Sequence, residues 1–417
     1  MKPYQPDYSI LAPRPATLSN GKAVALFPSS ATELLKFDII FHAGSAWQPK
    51  RLCAAAANHL CTEGGAAYTA QQVAEYLDFR GATVEHSTDV TSSVLSVYTL
   101  RRHAAQVIPF LAEVLSAPHF HAEEFNVYLQ EKRQQYLVSL QKTSSVARNL
   151  FYEKIFGVDH PHGSHAVLSD FDSLTRGDVS AFYADRCPLA SADLQLSGAC
   201  DDDILAVLNH SPFNVAPLAM PDVQLPPPMA EPLLGVPQRT PVEGSVQSTI
   251  RMGRLVPLDR YTLDASCFLV LNVLLGGYFG SRLMSNIRED KGYTYGIYSQ
   301  TRVMRNGILF FISADVGKAS VDDALREVCN ELRRLQQEPV SGDELELVRR
   351  FMIGDFMRGI DGVFEIAERY RQMQTINTDE RFTRCFFEAI HTVTPAKLQE
   401  LAQRFLSPDE MLQLVVG

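Results

Sequence analysis

The sequence predicts an α+β protein of two homologous domains, each a mostly antiparallel sheet covered by helices, joined by a proline-rich linker. Three observations carry this. The chain has 417 residues, too many for one compact core when a domain is typically ~100–150 residues. Residues 214–235, NVAPLAMPDVQLPPPMAEPLLG, are rich in proline and lack a helical period, and the triple proline 226–228 favours an extended polyproline conformation. They divide a first domain, 1–213, from a second, 236–417. The two halves also repeat one another. LAEVLSAPHFHAEEFNVYLQEKRQQYL and LRRLQQEPVSGDELELVRRFMIGDF both run amphipathic helix, proline (Pro118, Pro339), acidic turn, long helix, and the halves close alike on ADLQLSG, ending at Gly198, and EMLQLVVG, ending at Gly417. A repeat that long is a duplicated domain, since solenoid units are far shorter.

Each half mixes strands and helices. In the first, 24–27 and 37–42 read as strands and 83–100 as a hairpin, with Val94, Ser96 and Tyr98 in alternation. Residues 51–63 read as a helix with Cys53, Ala57, Leu60 and Cys61 on one face. Thr69-Ala-Gln-Gln opens another as a capping box, with Val73, Tyr76 and Leu77 inward and Gly81 as its stop. In the second half 248–255, 293–301 and 307–314 read as strands, and 263–275, 282–291, 320–337 and 342–357 as helices.

Composition excludes several classes. Apolar residues make up 46% and charged residues 21%, as in soluble globular proteins. A net charge of −10 without a dense Lys/Arg run argues against nucleic acid as a partner. The longest apolar stretch, 267–279, contains Asn272 and two glycines and falls short of the ~20 residues of a membrane helix. The start, MKPYQPDYSILAPRP, has prolines and charges where a signal peptide has its apolar run. The expectation is therefore a cytoplasmic protein with no membrane partner, or a periplasmic one if a leader has been removed. Seven scattered cysteines without a C-x-x-C pair read as reduced, mostly buried thiols.

The stretch 276–299, GGYFGSRLMSNIREDKGYTYGIYS, lacks the G-K-[ST] of a phosphate-binding loop. Its local signals are a glycine loop, a helix stopped at Gly292, and a strand, which bring Arg288 near Tyr295. A guanidinium and a phenol at such a corner can both donate to one carbonyl oxygen. Arg288 as a helix cap and Tyr295 as a packed aromatic is the other reading of the same residues. A second histidine group, His160, His162 and His165 with His119 and His121 elsewhere, suggests metal, but the loop holding it contains Pro161 and Gly163 and no regularly spaced carboxylate completes a ligand set.

The 276–299 stretch resembles the signature of the C-terminal domain of the pitrilysin/insulinase family of zinc peptidases, which includes the mitochondrial processing peptidase subunits: glycine loop, S-R-L helix, R-E-x-x-G-x-x-Y, strand. The duplicated halves, the linker and AGSAWQP (43–49) extend the resemblance over the whole chain. It implies that Arg288 and Tyr295 bind the substrate main chain beside the scissile bond. It also implies an inverted zinc motif, H-x-x-E-H, on the first long helix. Aligned from Gly64 and Tyr68-Thr69-Ala70, the motif positions fall on Ala55, Asn58 and His59. Alanine has no lone pair for zinc, an asparagine amide cannot take a proton from water, and only His59 remains. The third-ligand position falls at Ser139, and Glu63 reads as a helix-end carboxylate.

What the resemblance implies is a zinc-less subunit. Arg288 and Tyr295 serve a peptide substrate, no metal or cofactor is held by this chain, and zinc sits in a separate pitrilysin-like partner that completes a heterodimer. The chain alone is expected to be inactive, its self-association in isolation being open. The alternative is a catalytically inactive structural or assembly subunit of the same fold, for which an Arg/Tyr pair has no chemical use.

Overall fold

The computed structural model describes residues 11–228, 233–304 and 307–417. Eleven strands among them form two sheets. β1 (Arg14–Thr17), β2 (Ala23–Pro28), β3 (Leu34–Phe41), β4 (Thr83–Thr88), β5 (Ser93–Leu100) and β6 (Asp193–Gly198) make a six-stranded sheet in the order β1-β2-β6-β3-β5-β4. β7 (Pro237–Thr240), β8 (Gln247–Val256), β9 (Thr294–Met304), β10 (Gly307–Gly317) and β11 (Leu412–Val416) make the other, in the order β7-β11-β8-β10-β9. Set β1 aside and the two are the same sheet. The cross-strand row Val24, Leu194, Ile39, Leu95, His86 in the first has its counterpart in Pro237, Gln413, Met252, Ile312, Ser299 in the second. In both, one pair is parallel, β2 with β6 and β7 with β11, and the rest are antiparallel. The α+β class and the repeat expected from the sequence are what the topology contains.

Fourteen α-helices among the described residues cover these sheets. The first half holds α1 (Cys53–Leu60), α2 (Ala70–Asp78), α3 (Arg101–Ser116), α4 (Ala122–Leu140), α5 (Thr143–Phe156), α6 (Leu168–Ser173), α7 (Arg176–Arg186) and α8 (Asp202–Asn209). The second holds α9 (Leu263–Asn272), α10 (Val321–Gln337), α11 (Gly342–Arg358), α12 (Val363–Thr375), α13 (Glu380–Thr392) and α14 (Pro395–Phe405). Local expectations hold where a short-range signal decides. The Thr69 capping box closes, its hydroxyl accepting from the Gln72 N–H while Gln72 reaches back to the Thr69 N–H. They fail where the signal is weak. β1 and β7 escape a pattern search because Pro15 and Pro237 sit in them, which only outer strands and strand starts tolerate. α1 is shorter than 51–63, because Leu52 enters at a left-handed φ of 70°. Tyr76 is half-buried, stacked on Phe110 at 3.8 Å between centroids, while Val73 and Leu77 are buried.

Each half has its own core, and each also lends a helix to the other. α5 packs on β8 and β11, where Phe151, Ile155 and Phe156 join Leu309, Phe311, Leu412 and Leu414 in a third apolar cluster. Reciprocally, α12 packs on β2 and β6. The Phe364 ring passes so close to the end of β6 that a Cβ on Gly198 would lie 2.9 Å from it, and Gly198 also has a left-handed φ of 90°.

A buried polar network joins α12 to the first sheet. The Asp38 side chain is 0% exposed and that of Lys36 7%, and their charged atoms are 3.3 Å apart. Ser96 Oγ donates to Asp38 at 2.5 Å, and Gln195 Nε2 donates to both Asp38 and the Ala367 carbonyl. Lys36 also lies 3.5 Å from Glu368, which Arg371 holds at 2.5 Å. Removing one partner strands a buried charge, a loss of ~3–5 kcal/mol, whereas replacing both by apolar groups of similar volume is often neutral. Asp38→Ala should therefore lower the urea midpoint by the equivalent of ~3–5 kcal/mol, and a Lys36→Met/Asp38→Leu double variant should recover most of it. A midpoint unmoved by Asp38→Ala would mean that the network does not hold the halves together.

Candidate functional site

The 276–299 stretch folds as two unusual turns around a glycine loop. After α9 the chain winds through a π-helical segment, Val273–Gly277, and after the loop through a second, Met284–Asp290, so the expected helix 282–291 is largely π-wound. Such wide turns are rare and concentrate at functional sites. Gly276 brings the loop against β9: a Cβ there would meet Ser299 N at 2.5 Å and its Oγ at 2.7 Å. Gly292, at φ 66°, ends the helical run as expected.

Arg288 lies in the last π-turn with its guanidinium 4.5 Å from the centre of the Phe279 ring, itself 64% exposed on the glycine loop. The carbonyls that a capping side chain would satisfy are already taken, Asn286 O by the Lys291 N–H and Ile287 O by the Tyr293 N–H. Arg288 makes no hydrogen bond or ion pair with a described residue, so its donors remain available.

Tyr295 sits on β9, the outer strand of the second sheet, where a β-bulge interrupts the pairing. Thr294 faces Val316 and Ile297 faces Ala314, so Tyr295 and Gly296 together oppose Asp315. The Thr294 hydroxyl bridges the irregularity, contacting the Asp315 carbonyl at 2.7 Å and the Gly296 N–H at 3.1 Å. A bulge re-aims the side chain it carries, and Tyr295 is 92% exposed. It does not pack on the sheet. Together with the unpaired backbone edge of β9, this corner offers hydrogen-bonding groups suited to an extended peptide.

The aligned metal positions on α1 have other occupations. Ala55 faces an open cavity of about 520 Å³. Asn58 is buried, its amide donating to Ser87 O at 2.9 Å, Thr88 Oγ1 at 3.2 Å and Val94 O at 3.3 Å, which ties α1 to the β4–β5 hairpin. His59 is flanked by the rings of His86 at 5.0 Å and Tyr128 at 5.1 Å. Burial, with Lys132 adding to it and Glu131 opposing, lowers its pKa. Burial likewise brings His86, which bonds Thr62 at 2.9 Å, down to about 4, with His59 contributing. Ser139 is not the α4 residue beside His59. It lies in the last turn of α4 and donates back to Tyr136 O, whereas Tyr128, Glu131 and Lys132 occupy the turns facing His59. Glu63 has its pKa raised by burial and by Glu124. These residues do not fit a zinc ion, and among the described residues no group of three or more His, Cys, Asp or Glu is placed to hold a metal.

The histidine loop is committed to structure as well. His160 Nε2 bonds the Pro226 carbonyl at 2.9 Å while its Nδ1 accepts from the His162 N–H at 3.0 Å, so both ring nitrogens are spent and the loop anchors the linker. His162 stacks on His160 and, through burial first and the Arg302 charge second, is brought down to about 3. His165 contacts Glu153 at 3.7 Å, and the His119 and His121 rings lie 4.5 Å apart. All seven cysteines are free, and no helix among the described residues is long and apolar enough to cross a membrane.

Residues 173–352 match the family described as peptidase M16 inactive domain. An uncharacterized zinc protease of Streptomyces coelicolor is 21% identical over 430 residues, spanning 98% of this chain and 90% of that protein. An uncharacterized zinc protease of Bacillus subtilis is 23% identical over 147 residues, 35% of this chain and 36% of its own length. The structure of a peptidase M16 inactive domain from Pseudomonas fluorescens matches with a TM-score of 0.83 at 21% identity, covering 97% of this chain and 98% of that one. A chain of complex III2 from Candida albicans matches at 0.75 and 15% identity, covering 97% and 95%. The fold class and the resemblance drawn from the sequence are both borne out by these likenesses.

The lowered histidine pKa values have a consequence for stability. A histidine with a depressed folded pKa stays neutral in the native state while the unfolded chain, near its ordinary 6.5, takes up the proton. The contribution is complete above about pH 6.5 and is lost as pH falls toward 4. The urea midpoint should thus begin to drop below pH ~6.5, before carboxylates titrate. His86→Gln, which keeps a hydrogen-bonding partner for Thr62, should flatten that fall, and an unchanged slope would remove His86 from the account.

Proposed function

Starting from the match of residues 173–352 to the peptidase M16 inactive domain, we propose that the chain is the non-zinc-binding subunit of a heterodimeric pitrilysin-like metallopeptidase, contributing substrate-binding residues to the hydrolysis of peptides enclosed between two such chains. The observation that carries the reading is the corner of Arg288 and Tyr295. A phenol projects from a bulge on an open sheet edge, and the guanidinium preceding it has no hydrogen-bonding partner among the described residues. Tyr295 buries almost nothing within the chain itself, which leaves its hydroxyl for a peptide.

The residues support a division of labour. Ala55, Asn58 and His59 do not form a metal site, so the zinc and its general base belong to the partner, as an H-x-x-E-H helix. In this chain β9 aligns the peptide main chain. Tyr295 and Arg288 donate hydrogen bonds to a backbone carbonyl, orient it, and hold the negative charge that develops on its oxygen. Donors preorganised for that charge act with little reorganisation and are worth more in a closed, water-poor chamber than in solution.

Two outcomes are expected. The purified chain should contain no stoichiometric zinc and have no chelator-sensitive peptidase activity. One zinc per chain that is lost on His59→Ala would overturn the assignment of Ala55, Asn58 and His59. In a complex reconstituted with a zinc-bearing M16 chain, Tyr295→Phe should lower kcat on the order of a hundredfold, ~3 kcal/mol for one transition-state donor. Arg288→Lys should also impair turnover, because an ammonium cannot reproduce the planar fork. Both variants should assemble normally in size-exclusion chromatography. Full turnover by both would make the chain an assembly subunit.

A further inference from the structure

A cleft beside α5 remains outside the role just described. It runs from Ala55 past α5 to Tyr298 and Gly277, as adjoining cavities of about 520 and 590 Å³ that share Arg148, Tyr152 and Arg302. Arg148 on α5 and Arg302 on β9 are exposed, and neither has a carboxylate partner among the described residues; Arg302 reaches only the Tyr152 hydroxyl, at 3.5 Å. The single acidic residue lining either cavity, Asp89, spends its oxygens on the Thr91 and Ser92 N–H groups and hydroxyls. In a chain with a net charge of −10 this is a local concentration of uncompensated positive charge.

Arg251 on β8 is the independent sign that something is meant to sit there. It lines the same cleft, is only 6% exposed, and its Nε is fully buried without a hydrogen-bond partner. Its guanidinium rests on the Phe311 ring at 4.0 Å and near Phe151 at 5.2 Å. Cation–π contact offsets part of the cost of burial, yet none of its N–H donors finds an acceptor among the described residues. Burial, with the Arg148 charge adding to it, lowers its pKa, while the group stays charged.

We propose that Arg148, Arg251 and Arg302 form a subsite for a carboxylate of an acidic peptide. The inference rests on the peptide-binding role proposed above and names the substrate class that role would favour. Guanidinium forks match the two oxygens of a carboxylate, and their charges leave a neutral side chain without an equivalent gain. The position is defined too. Arg302 lies seven residues beyond Tyr295 on β9, ~23 Å at ~3.3 Å per residue, so an extended peptide would place its acidic residue about seven positions from the residue held at Tyr295.

The test is fluorescence anisotropy of the full chain with labelled extended peptides of about fifteen residues, long enough to span both places. One peptide carries a single internal glutamate and an amidated C-terminus, a second carries glutamine instead, and a third has glutamine with a free C-terminal carboxylate. The glutamate peptide should bind about tenfold more tightly than its glutamine counterpart at low salt, ~1.4 kcal/mol. Added salt should erode that advantage, and Arg148→Gln or Arg302→Gln, both exposed positions, should abolish it. Arg251→Gln should do the same in protein whose thermal unfolding remains cooperative, while Tyr295→Phe should leave the discrimination intact. Preference for the third peptide over the second would support the same subsite acting on a chain terminus. Equal binding of all three overturns the carboxylate subsite and leaves the peptide-binding role standing. Binding of none overturns both.

Discussion

The structure depends on an exchange: each sheet is finished by a helix from the other half. α5 supplies Phe151, Ile155 and Phe156 to the second sheet, and α12 sits on β2 and β6 of the first. The exchange therefore fixes the angle between the halves, and with it the relation between the corner at Tyr295 and the helix that contains Ala55. The cleft along α5 exists because one side of that helix is engaged by β8 and β11 while Arg148 and Tyr152 remain at its border. The Lys36, Asp38, Glu368 and Arg371 network adds geometric selectivity at the opposite contact. An apolar contact can slide, but a buried carboxylate answered by Lys36, Ser96 and Gln195 has one satisfactory arrangement.

The occupants of α1 explain how positions that the resemblance aligns with a zinc motif serve structure instead. A carboxylate at position 58, buried as Asn58 is, would face the Ser87 and Val94 carbonyls, and two acceptors repel. An amide donates to both. His59, held against His86 and Tyr128, is biased toward its neutral form by burial. A histidine at 59 has a structural use without metal, because its flat ring fills a slot between two other rings.

Much of this was legible in the sequence, and the failures have identifiable causes. The linker, the duplication and the closing strands at Gly198 and Gly417 are written in proline spacing and in repeated patterns that survive the divergence of individual residues. The capping box at Thr69 and the stop at Gly292 are local, so local reading finds them. β1 and β7 are short, contain proline, and exist only because a neighbouring strand pairs with them. The π-wound turns leave no mark, since the apolar pattern of a π-turn is nearly that of an α-turn. Ser139 was misplaced because the loop before α4 fixes the phase of that helix and loop lengths are invisible to alignment; a tilted ring contact between His59 and Tyr128 places that turn of α4 instead. Arg148, Arg251 and Arg302 went unnoticed for a related reason. They come from three elements spread over 155 residues, and no local window contains two of them.

The duplication turns the candidate site into a controlled comparison. β4 and β9 occupy the same place in homologous sheets, and each is hydrogen-bonded to a helix behind it, through a side-chain amide at Asn58 and a main-chain carbonyl at Asn272. Asn58 donates to Ser87 O on β4, and the Asn272 carbonyl accepts from Ser299 Oγ on β9. From that common design the two edges have parted. β4 pairs with β5 in unbroken register, and its His86 turns in against His59 and Thr62. β9 breaks register at Tyr295 and Gly296, is approached by a glycine at 276 that leaves no room for a side chain, and is flanked by two π-turns. A sheet edge left for stability alone has no reason to collect a bulge, two wide helical turns and an outward phenol, each of which forgoes regular hydrogen bonding or packing. The concentration of all of them on one of two equivalent edges is the physical argument for the proposal that β9 receives a ligand, while β4 shows none of them.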